Sequence, residues 1–462
     1  MAQTVVLKNA RLIDGLADQP QTGVSLVLNG ERISAVERGD SPTPPNAQVI
    51  DLAGKTVLPG LIDTHVHSTL MDRACLPLFI AAGVTSARDV GAKLENAQKL
   101  KADINSGTQL GPRLFICGPL LDGVESSFPP KSVLAEMLES VPSVDAVPEK
   151  IGRLLAADVD GVKLYFTLPP DTAKAIIDFV DKRVPITGHL GYTHSLDVIK
   201  AGIDGLEHVW ISPYNDFCAL DMQFGPGKKV SSMMNRHFAP LTFKGWEEAE
   251  LHSEKAKTWF DAMVNKQVNM GTTLDLLWIA KCGQEAAMQD PDRRYIPPMA
   301  LDRQRQLAAH VGERPDWDMF PGFEPATGAK ALEKHQEVTR ILHESGGLVV
   351  GGTDCGGIPY PPPGYALWRE IELLAEAIGT MAAFKAVTSV AARYLRKQDE
   401  IGSIAPGRYA DLVIVDGDPL RDVRELRKLT TVYRGGVAYD PQTLLAGVPQ
   451  HIVGQSGVRP GA

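Results

Sequence analysis

The chain has 462 residues, 44% hydrophobic and 22% charged, with 47 Lys plus Arg against 56 Asp plus Glu for a net charge of -9. That length supports a large core and more than one structural unit, and the composition is globular rather than fibrous or disordered. A mildly acidic chain without clustered arginines and aromatics gains nothing from the electrostatics that draw proteins to nucleic acid or anionic lipid, so neither is an expected partner.

The N-terminal MAQTVVLKNARLIDG is broken by Lys8, Asn9 and Arg11, and no segment is apolar for long enough to be a signal peptide or a membrane span. Short strands are predicted over 4–8, 25–29, 31–36 and 49–57, separated by Gly-, Asp- and Asn-bearing turns. A matching group lies over 404–406, 410–415 and 431–433, with Asp416-Gly417-Asp418-Pro419 as a strong turn. Two β fragments folded separately would leave unpaired edges, so they are expected to pair as one small β-sandwich from 1–57 plus 398–447.

Between them, over 58–397, strand-like runs alternate with helix-length stretches, the pattern of a parallel α/β unit. Eight strand ends are predicted, at 57–67, 83–91, 113–118, 161–166, 184–189, 205–209, 268–274 and 347–354, with helices over 171–180, 195–201, 246–265, 330–345, 370–379 and 381–395. Eight such strands suit a (β/α)₈ TIM barrel, whose chemistry sits in loops at the C-terminal strand ends. The irregular interval 211–245 holds Tyr214, Phe217, Met222, Phe224, Met233, Met234, Phe238 and Phe243, which reads as a lid, a pocket wall or a subunit contact. A second insertion spans 275–329, and 448–462 is a polar Gly/Pro-bearing tail. The scattered Cys75, Cys117, Cys218, Cys282 and Cys355 make neither a disulfide framework nor a CxxC ligand motif, which points to a reduced, cytoplasmic setting.

The sharpest chemical signal is Asp63-Thr64-His65-Val66-His67. Side chains alternate along a strand, so His65 and His67 project together and can grip one ion, while Asp63 shares their parity and can orient a histidine from behind. In GVKLYF, Lys163 and Tyr165 share the inward parity. A buried lysine is costly as a lone ammonium; it either pairs with an acid or reacts as a neutral amine with carbon dioxide, giving an anionic carbamate with one oxygen for each of two cations. His189, ending VPITGH, and His208, in GLEHV, supply further imidazoles at adjacent strand ends, which favours the carbamate.

Asp354, in GLVVGGTDCGG, follows the eighth strand among Gly351, Gly352, Gly356 and Gly357, which allow close approach of backbone and substrate. It is either a helix cap or the proton carrier that the histidine cluster otherwise lacks. Tyr165, Tyr192 and His194 are candidates to reach substrate, against packing for the tyrosines and a cap or solvent contact for His194. Arg88 could bind a substrate carboxylate or pair with Asp89 or another acid.

These motifs, PGLIDTHVHS, GVTSARDVG, GVKLY, ITGHLGYTH, AGIDGLEHV, GGTDCGG and GSIAPGRYADLVIVDGDP, together resemble the metal-dependent amidohydrolase superfamily, in its imidazolonepropionase-like and prolidase-like branch. The resemblance implies that His65, His67 and Asp354 hold one divalent ion and His189 and His208 a second, bridged by N6-carboxylysine at Lys163. Zinc is the first expectation, with manganese, cobalt or iron as alternatives. It further implies a homo-oligomer and a small-molecule substrate. The expected reaction is hydrolysis of an amide or peptide-like C–N bond, in an N-acyl amino acid, a dipeptide or a bulky aryl amide, by metal-activated water with Asp354 as proton shuttle. The alternatives are a lactone, ester, carbamate or cyclic amide cut by the same site, or a binding protein that keeps the metals without catalysis.

Overall fold

Strand pairing at the N-terminus sets the first layer. In the computed structural model, which describes residues 4–39, 44–128, 133–219, 223–226, 228, 238–298, 300–302, 325–357 and 361–447, β1 (Thr4–Leu12) pairs antiparallel with β2 (Gln21–Asn29), and β2 with β3 (Arg32–Arg38). The segment expected as one strand over 49–57 is two, β4 (Gln48–Asp51) and β5 (Thr56–Pro59). The chain turns between them at Ala53 and Gly54, both at positive φ, where Asp51 Oδ1 accepts the Ala53 N–H at 2.8 Å.

The barrel begins with β6 (Leu61–Val66), β7 (Val84–Asp89) and β8 (Arg113–Ile116), paired in parallel. After Cys117-Gly118-Pro119 the chain resumes as β9 (Leu120–Asp122), with β10 (Leu138–Ser140) beside it; neither was predicted. The remaining barrel strands are β11 (Val162–Leu164), β12 (Ile186–Gly188), β13 (Gly205–Glu207), β14 (Asn269–Gly271) and β15 (Leu348–Val350). They pair in sequence order, and β9 joins β11 on its other side. Closure comes from β15 onto β6, through Thr64 N–H to Gly351 O at 3.2 Å and His67 N–H to Cys355 O at 2.8 Å. All eight expected strand ends carry a barrel strand, and several observed strands are only three residues long because the rest of each segment turns into the mouth.

Helices cover the outside. The stretches predicted over 171–180, 195–201 and 330–345 correspond to Pro170–Val180, Ser195–Ala201 and Pro325–Glu344. Two others are broken. The predicted 246–265 helix is Phe238–Glu248 followed by Glu254–Asn265, which starts anew where the Ser253 side chain accepts from Ala256 N–H. The predicted 381–395 helix is Thr380–Ala386 and Ser389–Tyr394, since at the break Val387 O accepts the Ile62 N–H at 2.8 Å and so joins β6.

The chain then returns to its start. β16 (Leu412–Val415) pairs antiparallel with β5, and β17 (Leu429–Arg434) and β18 (Val437–Tyr439) extend the sheet to the order β18-β17-β16-β5-β1-β2-β3, with β4 beside β1. Leu7, Leu26, Leu28 and Val57 share one core with Leu412, Ile414 and Tyr433, so the terminal sandwich is built from both chain ends. Residues 404–406 form no strand, because Pro406 has no N–H and Ile404 donates to Asp14 O instead. The β17–β18 hairpin, not predicted, turns at Gly435-Gly436, both at positive φ.

Within 211–245, Tyr214 stacks on Phe224 at 4.4 Å, Phe243 on Trp210 at 5.7 Å, and Phe217 meets Trp246 and Trp259. Tyr214, Phe224 and Phe243 are therefore spent on the chain's own core. Met222, Met233 and Met234, the 303–324 part of the second insertion and the 448–462 tail lie outside the described residues. No helix among the described residues is long and apolar enough to cross a membrane, and the five cysteines are unpaired.

Candidate metal centre

The site assembles where the barrel strands end. Alternation along β6 sends His65 and the following His67 to the same side, with ring centroids 5.7 Å apart. His208 follows β13 and lies 4.6 Å from His65, ring to ring; His189 follows β12 and lies 4.5 Å from His208. Asp354 follows β15, with Oδ1 3.2 Å from His67 Nε2 and 3.5 Å from His65 Nε2, and Oδ2 3.9 Å from His208 Nε2. Two of these residues break strand geometry. His208 (φ 58°) and Asp354 (φ 55°) occupy the left-handed region, which a non-glycine residue enters only when its surroundings hold it there.

One donor atom each from His65, His208 and Asp354 lies within 4.8 Å of the others, making a candidate metal site. This tight group joins residues from both ion sites that the family resemblance implies. Lys163, on β11, is fully buried, and its charge acts on His65, His189 and His208. Its Nζ and the His189 Nε2 are buried with no hydrogen-bond partner among the described residues. Buried polar atoms are nearly always satisfied, so two orphaned nitrogen donors converging on an imidazole–carboxylate cluster fit a site that receives cations.

The local electrostatics favour the ligand forms of His65, His189, His208, Lys163 and Asp354. His67 is the exception, since burial would lower it but Asp354, Asp89 and the Gly91 carbonyl raise it above the usual imidazole value. Burial, followed by the nearby Lys163 charge, depresses His65 to about 4, and burial takes His189 and His208 well below the usual imidazole value. Burial lowers Lys163 to about 8 against the opposing pull of Glu207. Burial would raise Asp354, but His65, His67 and His208 hold it below the ordinary carboxylate range. Three neutral imidazoles, an ionised carboxylate and a readily deprotonated amine are what a cation needs from its ligands, while His67 would have to give up its proton to join them.

A second layer fixes the ring orientations. His65 Nδ1 meets Glu207 Oε2 at 2.8 Å, His67 Nδ1 meets Gly91 O at 2.9 Å, and His208 Nδ1 meets Thr273 Oγ1 at 2.9 Å. Asp63 does not orient an imidazole: its carboxylate accepts the His65 and Thr353 N–H groups and the Thr353 hydroxyl, tying β6 to the end of β15. Arg88 pairs with Glu207 and donates to Thr64 O at 2.7 Å, so it is buried in an ion pair. The glycines after β15 admit the chain itself. A Cβ on Gly352 would lie 2.7 Å from His65 Cβ, and one on Gly357 would lie 2.5 Å from Asp354 Oδ1.

The candidates for substrate contact divide. Tyr165 is buried with its ring 4.9 Å from His189. The Tyr192 hydroxyl donates to Glu125 at 2.6 Å, and His194 Nδ1 pairs with Asp216 at 3.3 Å with 39% of its side chain exposed. Glu207 and Thr273 carry no sequence signal: alternation assigns Glu207 to the face opposite His208, and only the backbone reversal at His208 brings both to His65.

The model of the amidohydrolase family matches residues 56–438. An uncharacterised protein of Mycobacterium tuberculosis is 31% identical over 154 residues, which is 31% of this chain and only 23% of that protein. Among solved structures, a Xaa-Pro dipeptidase with bound methionine superposes at TM-score 0.68 and 21% identity, covering 95% of this chain and 100% of that one. Molinate hydrolase superposes at TM-score 0.66 and 20% identity, covering 99% of both chains. At such identities the structural likeness speaks for the fold. The family match runs from β5 to β18 and takes in every strand end that feeds the histidine–aspartate cluster, so the chain belongs to the amidohydrolase family of hydrolases.

Proposed function

We propose that the chain is a binuclear metal-dependent hydrolase of amide or peptide-like C–N bonds, with His65, His67, His189, His208 and Asp354 as ligands and N6-carboxylysine at Lys163 as the bridge. The observation that carries this reading is the Lys163 amine, fully buried, without a hydrogen-bond partner among the described residues and shifted toward its neutral form among three imidazoles. A neutral amine adds carbon dioxide by forming one N–C bond and releasing one proton, which turns an unsatisfied group into an anionic bridging ligand. Zinc suits this N/O donor set; manganese, cobalt or iron would use the same residues.

When bound, divalent cations acidify a water and polarise the scissile carbonyl. Asp354 is ionised and central to the cluster, so it accepts the water's proton and returns it to the leaving nitrogen. Tyr165 lines the side of His189, where its hydroxyl can meet a substrate oxygen. The buried rings of Phe166 and Trp210 pack 6.1 Å from His189 and 6.2 Å from His208, so the imidazoles have apolar surroundings, which favours a bulky acyl or aryl group as substrate. The solved Xaa-Pro dipeptidase with this fold supports a peptide-like bond.

The test is turnover of a panel of N-acyl amino acids, dipeptides, aryl amides, esters, lactones, carbamates and cyclic amides, on protein stripped of metal and then reloaded with zinc or manganese. Metal-dependent amide cleavage is expected. Ester or lactone turnover without amide cleavage would move the substrate class, and full metal loading without any turnover would leave a binding protein.

A further inference from the structure

Resting on the metal-centre reading above, we propose that Glu207 is a positioning residue that locks His65 in its ligand tautomer. Glu207 closes β13 and is completely buried. Its Oε2 sits 2.8 Å from His65 Nδ1, and an ionised carboxylate only accepts, so the imidazole proton is fixed on Nδ1. The His65 Nε2 lone pair is then left on the side of Asp354, 3.5 Å away. The partners of His67 and His208 are a neutral carbonyl and a hydroxyl, so among these three rings His65 alone is backed by an anion. An anionic partner makes an imidazole a stronger donor as well as an aligned one.

The socket around Glu207 is built for this. Its Oε1 receives Arg88 Nη2, the Thr187 hydroxyl and, at 3.2 Å, the Tyr394 hydroxyl. Arg88 is itself held over the Tyr394 ring at 4.3 Å. Across the β13–β14 ladder, Glu207 is registered with Gly271, where a Cβ would lie 2.5 Å from Oε2. With Oε1 engaged by Arg88 and Oε2 by His65, Glu207 makes no hydrogen bond to Lys163, whose Nζ stays without a partner among the described residues.

Glu207→Gln tests the role at nearly constant shape. The amide oxygen can still accept from Arg88, which turns the NH₂ group toward His65 Nδ1. That ring must then accept at Nδ1 and carry its proton on Nε2, where it cannot ligate. Zinc retention, read by chelator competition, should fall roughly 10- to 100-fold, and the visible absorption of the cobalt-loaded protein should change. A purely structural ion pair would alter the melting of the metal-free protein without changing the cobalt spectrum. Wild-type zinc affinity and an unchanged cobalt spectrum in Glu207→Gln would overturn the proposal. Should that variant fail to fold, Tyr394→Phe removes one Oε1 donor and keeps the ring beneath Arg88; a smaller loss in the same direction is expected, and unchanged retention counts against the role. His65→Ala, measured in parallel, separates the two readings. If it too keeps full metal affinity, the metal centre itself is wrong; if it loses metal while Glu207→Gln does not, only the positioning role falls.

Discussion

Gly357→Ala adds one methyl group at the crowded side of the proposed centre. Gly357 does not require positive φ, so the substitution carries no backbone penalty and its effect is steric. The new Cβ would sit 2.5 Å from Asp354 Oδ1 and 2.7 Å from His67 Cδ2, where ordinary contact begins at 3.4 Å. Relief therefore needs both a shift of about 0.9 Å in the carboxylate and one of about 0.7 Å in the imidazole, or a movement of the Gly357 backbone away from them. Overpacking of this kind costs about 1–3 kcal/mol of stability. Because the displaced atoms belong to the proposed proton carrier and a proposed ligand, misplacement by about 1 Å should cost on the order of 100-fold in turnover. The assay is kcat on the best substrate of the panel, with metal content and thermal unfolding measured on the same preparation. A variant with native turnover and full metal content would show that Asp354 and His67 are not held in a demanding geometry, and the active-site assignment built on them would fail.

Asp354→Asn keeps the shape of the side chain but removes the charge and the proton acceptor; turnover should fall by at least about 100-fold with a much smaller change in unfolding temperature, and near-native activity would assign proton transfer elsewhere. Lys163→Ala should lower metal content measured by elemental analysis, with partial restoration by a short carboxylic acid supplied in solution; two tightly held ions in the untreated variant would remove lysine from the bridge. Glu370 caps the chain after β14, accepting the Asp275 N–H at 2.8 Å, and burial raises its carboxyl from 4.5 to about 7. The folded state therefore binds this proton more tightly than the unfolded state, and stability falls as pH rises from about 4.5 to about 7, by on the order of 3 kcal/mol at most. Glu370→Gln should gain on the parent across that window in metal-free thermal unfolding, and parallel pH curves would show that the carboxyl is not protonated in the fold.

Much of this molecule is legible along the chain because the rules involved are local. Period-two alternation marks His65 with His67 and Lys163 with Tyr165, and turn residues mark where barrel strands end. The eight strand ends and the pairing of the two chain termini follow from the need to bury apolar faces and satisfy edges. The same local rules miss the breaks after Glu248 and Ala386, where a capping serine and a bond to β6 outweigh continuous helical patterning.

The sequence alone determined which chemical groups this protein owns and the order in which the barrel presents them. Only the tertiary structure decided how those groups are partnered. Glu207 is 142 positions from His65, and Arg88 is 119 positions from Glu207. Such pairings depend on which strands become neighbours when the barrel closes, and on the left-handed backbone at His208 and Asp354, neither of which is a glycine. Local propensity reports on residues a few positions apart, whereas hydrogen bonds and charge balance in a buried site are settled by contacts across the whole chain.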